Sequence, residues 1–196
     1  MDIVLASANP GKIRELKAIM EGLAVRVHPQ SEFEIPPVDE TGTTFVENAI
    51  IKARHAAKHA RLPAIADDSG LSVDALNGAP GVYSARYAGP GASDEANLKK
   101  LLTDVESVPA AERSCRFMCV IAYLKSADDP LPVIATGVWE GFLLRSPRGR
   151  NGFGYDPIFY VPDRDCASAE LDPTTKNRIS HRAQALNALL ASFRPA

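Results

Sequence analysis

The chain is predicted to mix strands with helices, and three observations carry that prediction. Ile3-Val4-Leu5-Ala6 is a short unbroken apolar run, compatible with a strand buried on both faces. Behind it Ile13, Leu16, Ile19, Met20 and Leu23 recur at helical spacing, and a second, Ala-rich helical pattern runs from Phe45 to about Ala60. Ser114–Lys125 and Leu131–Trp139 then read as two long strands joined by a hairpin loop, Ser126-Ala127-Asp128-Asp129-Pro130.

Each element has local chemistry that starts or stops it. Asn9 is a natural N-cap for the first helix, and Pro10 suits its first position. Val25–His28 reads as a second strand, and Glu32–Asp39, acidic and Pro-interrupted, as loop or edge. Thr44 with Glu47 forms a capping box for the Ala-rich helix. Ser93 caps a helix that carries Asp94 and Glu95 in its first turn and Leu98, Leu101 and Leu102 on its apolar face. Val105–Glu112 is a polar connection, Gly141–Arg145 continues or follows the second long strand, and Ile158–Val161 is the last strand. Asp172 and Pro173 open a further helical pattern. Ser180 is a second N-cap, so this pattern is expected to break near Ile179 and restart.

Composition narrows the class of partner. With 45% hydrophobic and 23% charged residues in 196, the chain has the make-up of a globular protein that fills one good-sized core, as one domain or two lobes. A formal net charge of −2 argues against electrostatic binding of long nucleic acid. The longest apolar run, Phe117–Leu124, is far too short to span a membrane. Met1-Asp2-Ile3 has no basic region ahead of it, so no signal peptide is expected. Cys115, Cys119 and Cys166 are odd in number and lack C-x-x-C spacing, which fits buried thiols in a reducing, cytoplasmic setting. No internal repeat, low-complexity segment or linker is visible, so residues 1–196 are read as a single domain.

The stretch most suited to chemistry is Ile65–Arg86. A short apolar run, Pro63–Ala66, breaks into Asp67-Asp68-Ser69-Gly70, which is expected to end the strand and set two carboxylates at its rim. The same residues are ordinary turn formers. Ser7-Ala8-Asn9-Pro10-Gly11-Lys12 joins strand to helix with a lysine in the first turn, the makings of an anion site. It is not a P-loop, because the first Gly is missing and Ile13 stands where a hydroxyl residue is needed. Glu40 precedes the Ala-rich helix, where a carboxylate is also a plain dipole partner. In Arg148–Pro157 three glycines surround Phe153 and Tyr155, so one ring can stack on a ligand while backbone approaches it. The expected break at Ser180 would bring His181 and Arg182 near Lys176, three groups converging on an anion.

Taken together, these motifs resemble the inosine/xanthosine triphosphate pyrophosphatase family, also called Ham1-like, from near residue 3 to about residue 190. They are Ser7–Lys12; Glu40-Thr41-Gly42 leading into Phe45–Ala49; Ala66–Leu71; Gly78–Gly81 with Tyr83–Arg86; Gly152–Pro157; and Ser180-His181-Arg182. The resemblance implies an α/β fold with a mixed, strongly twisted sheet flanked by helices, a nucleotide cleft between two lobes, and a homodimer. It implies magnesium-dependent hydrolysis of deaminated purine nucleoside triphosphates, ITP, dITP and XTP, to the monophosphate and pyrophosphate. By matching position, Ser7, Ala8, Asn9, Pro10, Gly11 and Lys12 contact the triphosphate, and Ser69 touches substrate. Glu40 and Asp68 hold Mg2+, with Asp68 also the proton acceptor. Phe153, Gly154, Tyr155, Asp156, Lys176, His181 and Arg182 complete the nucleotide site. One departure is Ser7-Ala8, where the family often has Thr and a Gly before Asn.

A carboxylate that chelates magnesium is a weak base. Asp68 is therefore expected to orient the attacking water, or to use one oxygen for each task. Selectivity is expected at the purine C6 position, where an oxo group accepts from a donor such as Arg182 or a backbone N–H and an amino group does not. Two rival readings remain. A Maf-type pyrophosphatase acting on pyrimidine or modified nucleotides resembles Ser-x-Ser-Pro-Arg-Arg in its first loop, from which Ser7–Lys12 departs. A nucleotide-binding module without turnover would gain little from Glu40 and Asp68.

Overall fold

The computed structural model describes residues 1–193, so residues 194–196 of the expected domain lie outside it. The elements follow the order β1 (Asp2–Leu5), α1 (Pro10–Met20), β2 (Arg26–Pro29), α2 (Phe45–Ala60), β3 (Ala64–Val73), α3 (Asp94–Asp104), β4 (Ser114–Leu124) and β5 (Val133–Leu143). Then come β6 (Phe159–Val161), β7 (Cys166–Ala167), α4 (Pro173–Ile179) and α5 (His181–Ser192). The strands form one mixed sheet in the order β2-β1-β3-β4-β5-β6-β7, with helices flanking it. β1 runs parallel to β2 and β3, pairing Val4 with Ala64 and Leu5 with Ile65, whereas β5, β6 and β7 are antiparallel neighbours. Among the described residues no helix is long and apolar enough to cross a membrane.

The described residues gather into two compact units. The first holds Met1–Asp68, Cys119–Gly137 and the segment from His181 onward; the second holds Ser69–Met118 and Val138–Ser180. In the first unit, strand periodicity sorts side chains into two cores, because successive residues of a strand face opposite ways. Odd-numbered Ile3, Leu5, Ile65, Cys119, Ile121, Tyr123 and Ala135 pack with Leu16 and Met20 of α1 and Ala185, Leu186 and Leu189 of α5. Even-numbered Val4, Ala6, Ala64, Ala66, Val120, Ala122 and Leu124 pack with Ala49, Ala53, Ala56 and Ala57 of α2. The second unit has its own core, in which Phe117, Trp139 and Phe159 stack beside Leu71, Leu101 and Ile158.

The caps form as local chemistry dictates. The Asn9 side chain accepts from Lys12 N, Ser93 from Ala96 N and Asp172 from Thr175 N, and the Thr44–Glu47 capping box is complete. Ser180 separates α4 from α5 at the expected place. Cys115 and Cys119 are buried, and burial raises both thiols, Cys119 to about 12, so both are inert packing groups.

One expectation fails. Asp67-Asp68-Ser69-Gly70 does not end a strand: β3 runs unbroken from Ala64 to Val73 and carries both acids inside it. Asp67 is 1% exposed and Asp68 5%, so neither sits at a rim. Turn-forming residues were overridden because tertiary partners satisfy the carboxylates within the sheet.

Within the first unit α5 lies hard against β5 at Gly137. A Cβ there would stand 2.1 Å from the His181 carbonyl oxygen and 2.6 Å from Ala185 N. The Gly137→Ala variant is expected to lose stability by about 1–3 kcal/mol, the usual result of overpacking. A guanidinium chloride melt checks this, and a midpoint equal to the parent's would show that α5 is free to move off the sheet.

Candidate active site

The two adjacent acids of β3 face opposite ways, and this decides their chemistry. Asp67 shares its parity with Ile65 and so faces the side of α1 and α5. Its Oδ2 receives Lys12 Nζ at 3.0 Å and Nε and Nη2 of Arg182 at 3.4 Å each. Arg182 is 1% exposed, and its Nη1 donates to Glu15 Oε2. Burial alone would raise the Asp67 pKa, but Lys12, then Arg182 and Lys52, outweigh it and hold this carboxyl below the usual range. Arg182 likewise stays charged: burial opposes the cation, and Asp67 and Glu15 more than offset it.

Asp68 shares its parity with Ala64 and Ala66 and faces α2. Lys52 Nζ sits 2.9 Å from Asp68 Oδ1 and 3.0 Å from Glu40 Oε1, so one ammonium joins two carboxylates. Burial raises the Asp68 pKa, and the opposing pull of Lys52 and Lys12 does not cancel it. Burial would lower that of Lys52, but Asp68, Asp67 and Glu40 together raise it. Asp68 Oδ2 is buried and accepts no hydrogen bond from the described residues. Two neighbouring carboxylates are thus driven apart, the Asp67 pKa down and the Asp68 pKa up.

The first loop reaches the same place. Asn9 N donates to Ser7 Oγ at 3.2 Å, Gly11 is buried in the first turn of α1, and Lys12 points to Asp67. Lysine loop and acid pair, distant in sequence, therefore meet. Ala8 and Pro10 are exposed beside them.

The second unit holds the Gly-aromatic loop. Tyr155 is buried with its hydroxyl donating to the Ser84 carbonyl at 2.9 Å, so it is structural, whereas the Phe153 ring is only half-buried. Asp156 is buried and turned into the loop: Oδ2 accepts from Phe153 N at 2.8 Å and from Lys176 Nζ, and Oδ1 from Ser168 Oγ at 2.8 Å. Gly152 has φ +77°, and a Cβ there would meet Asp156 Oδ2 at 2.1 Å, so only glycine fits this clamp. Gly154 N donates to Asp94 Oδ2 at 2.8 Å. Lys176 Nζ lies 5.1 Å from the centre of the Phe153 ring, a cation–π contact.

Of the expected residues, Lys12, Glu40, Asp68, Asp67 and Arg182 gather in the first unit, and Phe153, Gly154, Asp156 and Lys176 in the second. Ser69 is half-buried in β3 next to Asp68, and His181 is buried at the start of α5. Of the three groups expected to converge on an anion, Lys176, His181 and Arg182, two are engaged by acids instead: Lys176 by Asp156 in the second unit, and Arg182 by Asp67 and Glu15 in the first. Lys52 and Glu15 were missed. Lys52 follows Ala49 by three positions and precedes Ala56 by four, at the edge of the buried stripe of α2, which was the available signal.

Among the described residues no three His, Cys, Asp or Glu side chains are grouped to hold a metal ion. The donor set still fits magnesium, which binds through one or two carboxylates and takes its other ligands from water and phosphate. Glu40 and Asp68 already converge on a single cation, the Lys52 ammonium.

A lysine-bearing helix start thus stands beside paired acids on a neighbouring strand of an α/β fold. The model of the Ham1 family matches residues 3–192. A dITP/XTP pyrophosphatase of Vibrio parahaemolyticus is 58% identical over 97% of this chain and 96% of its own length, and one of Coxiella burnetii is 56% identical over 96% and 94%. The structure of a Ham1 protein from Coxiella burnetii superposes with a TM-score of 0.90 at 55% identity, covering 98% of each chain. That of the Staphylococcus aureus Ham1 protein gives 0.85 at 46%, covering 98% of this chain and 97% of that one. The chain belongs to the Ham1 family.

Asp67→Asn would leave Lys12 and Arg182 facing a neutral group, and breaking such a buried pair costs about 3–5 kcal/mol. The folded-state pKa of Asp67 is depressed, so its contribution is fully present above the unfolded value of about 4 and fades as pH falls below it. Denaturant melts of parent and variant should differ by a constant amount at neutral pH and converge in acid. A gap that widens in acid would mean that Asp67 is not ionised in the folded state.

Proposed function

We infer that this chain hydrolyses deaminated purine nucleoside triphosphates, ITP, dITP and XTP, to the monophosphate and pyrophosphate, and so cleanses the nucleotide pool. The observation that carries it is the pairing of Lys12–Asp67 with Glu40–Lys52–Asp68 on the two faces of β3, in a chain whose relatives over nearly its whole length are dITP/XTP pyrophosphatases. In this reading residues 1–196 work as one domain.

Phosphoryl transfer depends on positioning and charge neutralisation more than on covalent chemistry. Lys12 and the start of α1, with Ser7–Gly11, are proposed to take the phosphates, where free N–H groups and the helix dipole favour anions. Asp67 holds Lys12 in place rather than meeting substrate. Asp68 is proposed as proton acceptor, its two oxygens having different surroundings. Oδ1 is held by Lys52, and the Asp68 carboxylate is proposed to align the water that attacks the α-phosphorus as the bond to the bridging oxygen breaks. When bound, Mg2+ neutralises phosphate charge and the pyrophosphate leaving group; Glu40 and Asp68 would hold it. The ring face of Phe153 is proposed to stack on the base, its loop kept rigid by Asp156, with Gly154, Tyr155, Lys176, His181, Arg182 and Ser69 completing or supporting the substrate site.

The protein is proposed to be a cytoplasmic homodimer. Ile134, Val138 and Phe142, spaced by four along β5, are exposed apolar side chains on one face of that strand.

With ITP and magnesium the protein should release pyrophosphate, and with EDTA none; ITP binding without release would make it a nucleotide-binding module. Asp68→Asn should lower kcat by about 10²–10⁴-fold, the usual loss of a general base, and a variant retaining most of its kcat removes Asp68 from that role. In a panel of ITP, XTP, GTP, ATP and dTTP, kcat/KM for ITP should exceed that for ATP by about 10–100-fold or more, as one donor mismatch dictates. A preference for dTTP would favour the Maf-type alternative.

A further inference from the structure

Glu40 lies on an irregular segment, yet its carboxylate is held 3.0 Å from Lys52, and the sequence between them shows how. Glu47 Oε2 accepts from four groups of that segment: Thr43 N at 2.8 Å, Thr43 Oγ1 at 3.0 Å, and Thr44 N and Oγ1 at 2.9 Å. Asn48, wholly buried, accepts from Gly42 N at 2.8 Å through Oδ1. The glycine at 42 answers a lack of space rather than a special backbone angle, because its φ is not positive. A Cβ there would stand 2.5 Å from Glu47 Cβ and 2.7 Å from Asn48 Oδ1. Asn48 precedes Lys52 by four residues, so the two occupy one face of α2, a turn apart.

Helix stability does not call for this asparagine. Its Nδ2 is buried without a partner among the described residues, and a buried unpaired donor is destabilising. Alanine, which holds every other buried position of this helix, would leave no such donor here. What the asparagine supplies is an oxygen aimed at the Gly42 amide.

We propose that Asn48 is a positioning residue: together with Glu47 it clasps the Gly42–Thr44 backbone to α2 and so fixes Glu40 where it meets Lys52 beside Asp68. It touches neither phosphate nor metal, and acts through Glu40. This rests on the reading of Glu40 as a magnesium ligand, and the test is arranged to separate the two.

Amide hydrogen exchange on the nucleotide-free protein reads the clasp directly. Asn48→Ala should speed exchange at Gly42, and Asn48→Asp, which keeps an oxygen acceptor, should restore protection. The magnesium dependence of ITP hydrolysis reads the consequence. Asn48→Ala should raise the half-saturating magnesium concentration by roughly 10–100-fold, as loss of an outer partner of a metal ligand does, with kcat at saturating magnesium falling far less. Gly42→Ala, which opens the clasp from the other side and leaves the core intact, should do the same and carries the test alone if Asn48→Ala does not fold. Ala56→Gly, on the same helix but away from the clasp, should weaken the fold and leave magnesium dependence at the parent value. If Glu40→Gln shifts magnesium dependence while Asn48→Ala and Gly42→Ala do not, the proposal is overturned and the site reading stands. If Glu40→Gln itself has no effect, both fall.

Discussion

A carboxylate with almost no access to water, Asp67, is the constraint on which the first unit turns. Taken alone, such a group would protonate or unfold the sheet around it. It is kept ionised because Lys12 arrives from the start of α1 and Arg182 from the start of α5, with Glu15 balancing the second cation. Two helix starts far apart in the chain are thereby locked to one atom of one strand. The start of α1 is consequently tied to the sheet by a buried ion pair.

The period of two along β3 does the rest. Because neighbouring residues project to opposite sides, a pair of identical side chains receives two unrelated environments. Asp67 enters the α1/α5 side and is saturated with cations; Asp68 enters the α2 side, meets one lysine, and keeps one buried oxygen without a donor among the described residues. A one-residue slip of this strand would exchange the two and place the core alanines on the wrong face as well. Register and reactivity are therefore specified by the same hydrophobic pattern.

What the sequence discloses and what it hides follow from the range of the interactions. Asn9, Thr44 with Glu47, Ser93, Asp172 and the break at Ser180 were all legible, since a cap acts within four residues of itself. The hairpin between β4 and β5 was legible for the same reason. The middle of β3 was not: Asp-Asp-Ser-Gly favours turns locally, and only partners from positions 12, 52 and 182 make a strand tolerable there. Lys52 escaped notice because a lysine on an amphipathic helix is usually solvated, and its two acids lie 12 residues before and 16 residues after it in the chain. The motif around Asp156 marked out this loop by its glycines and aromatics. The inward turn of that carboxylate toward Ser168 and Lys176 depends on contacts that no local pattern reveals.

The close approach of α2 to the sheet has an implication for how this fold can adapt to heat. Ala49, Ala53, Ala56 and Ala57 form the contact, and their small size sets how near the helix backbone lies to the strands. A bulkier residue at any of them would thicken that layer and lift the Lys52 ammonium from both acids at once. The usual route to thermal hardening, filling a core with larger aliphatic groups, is closed on this side of the sheet, which leaves the other two cores, surface charge networks and shorter loops as the routes to durability at higher temperature.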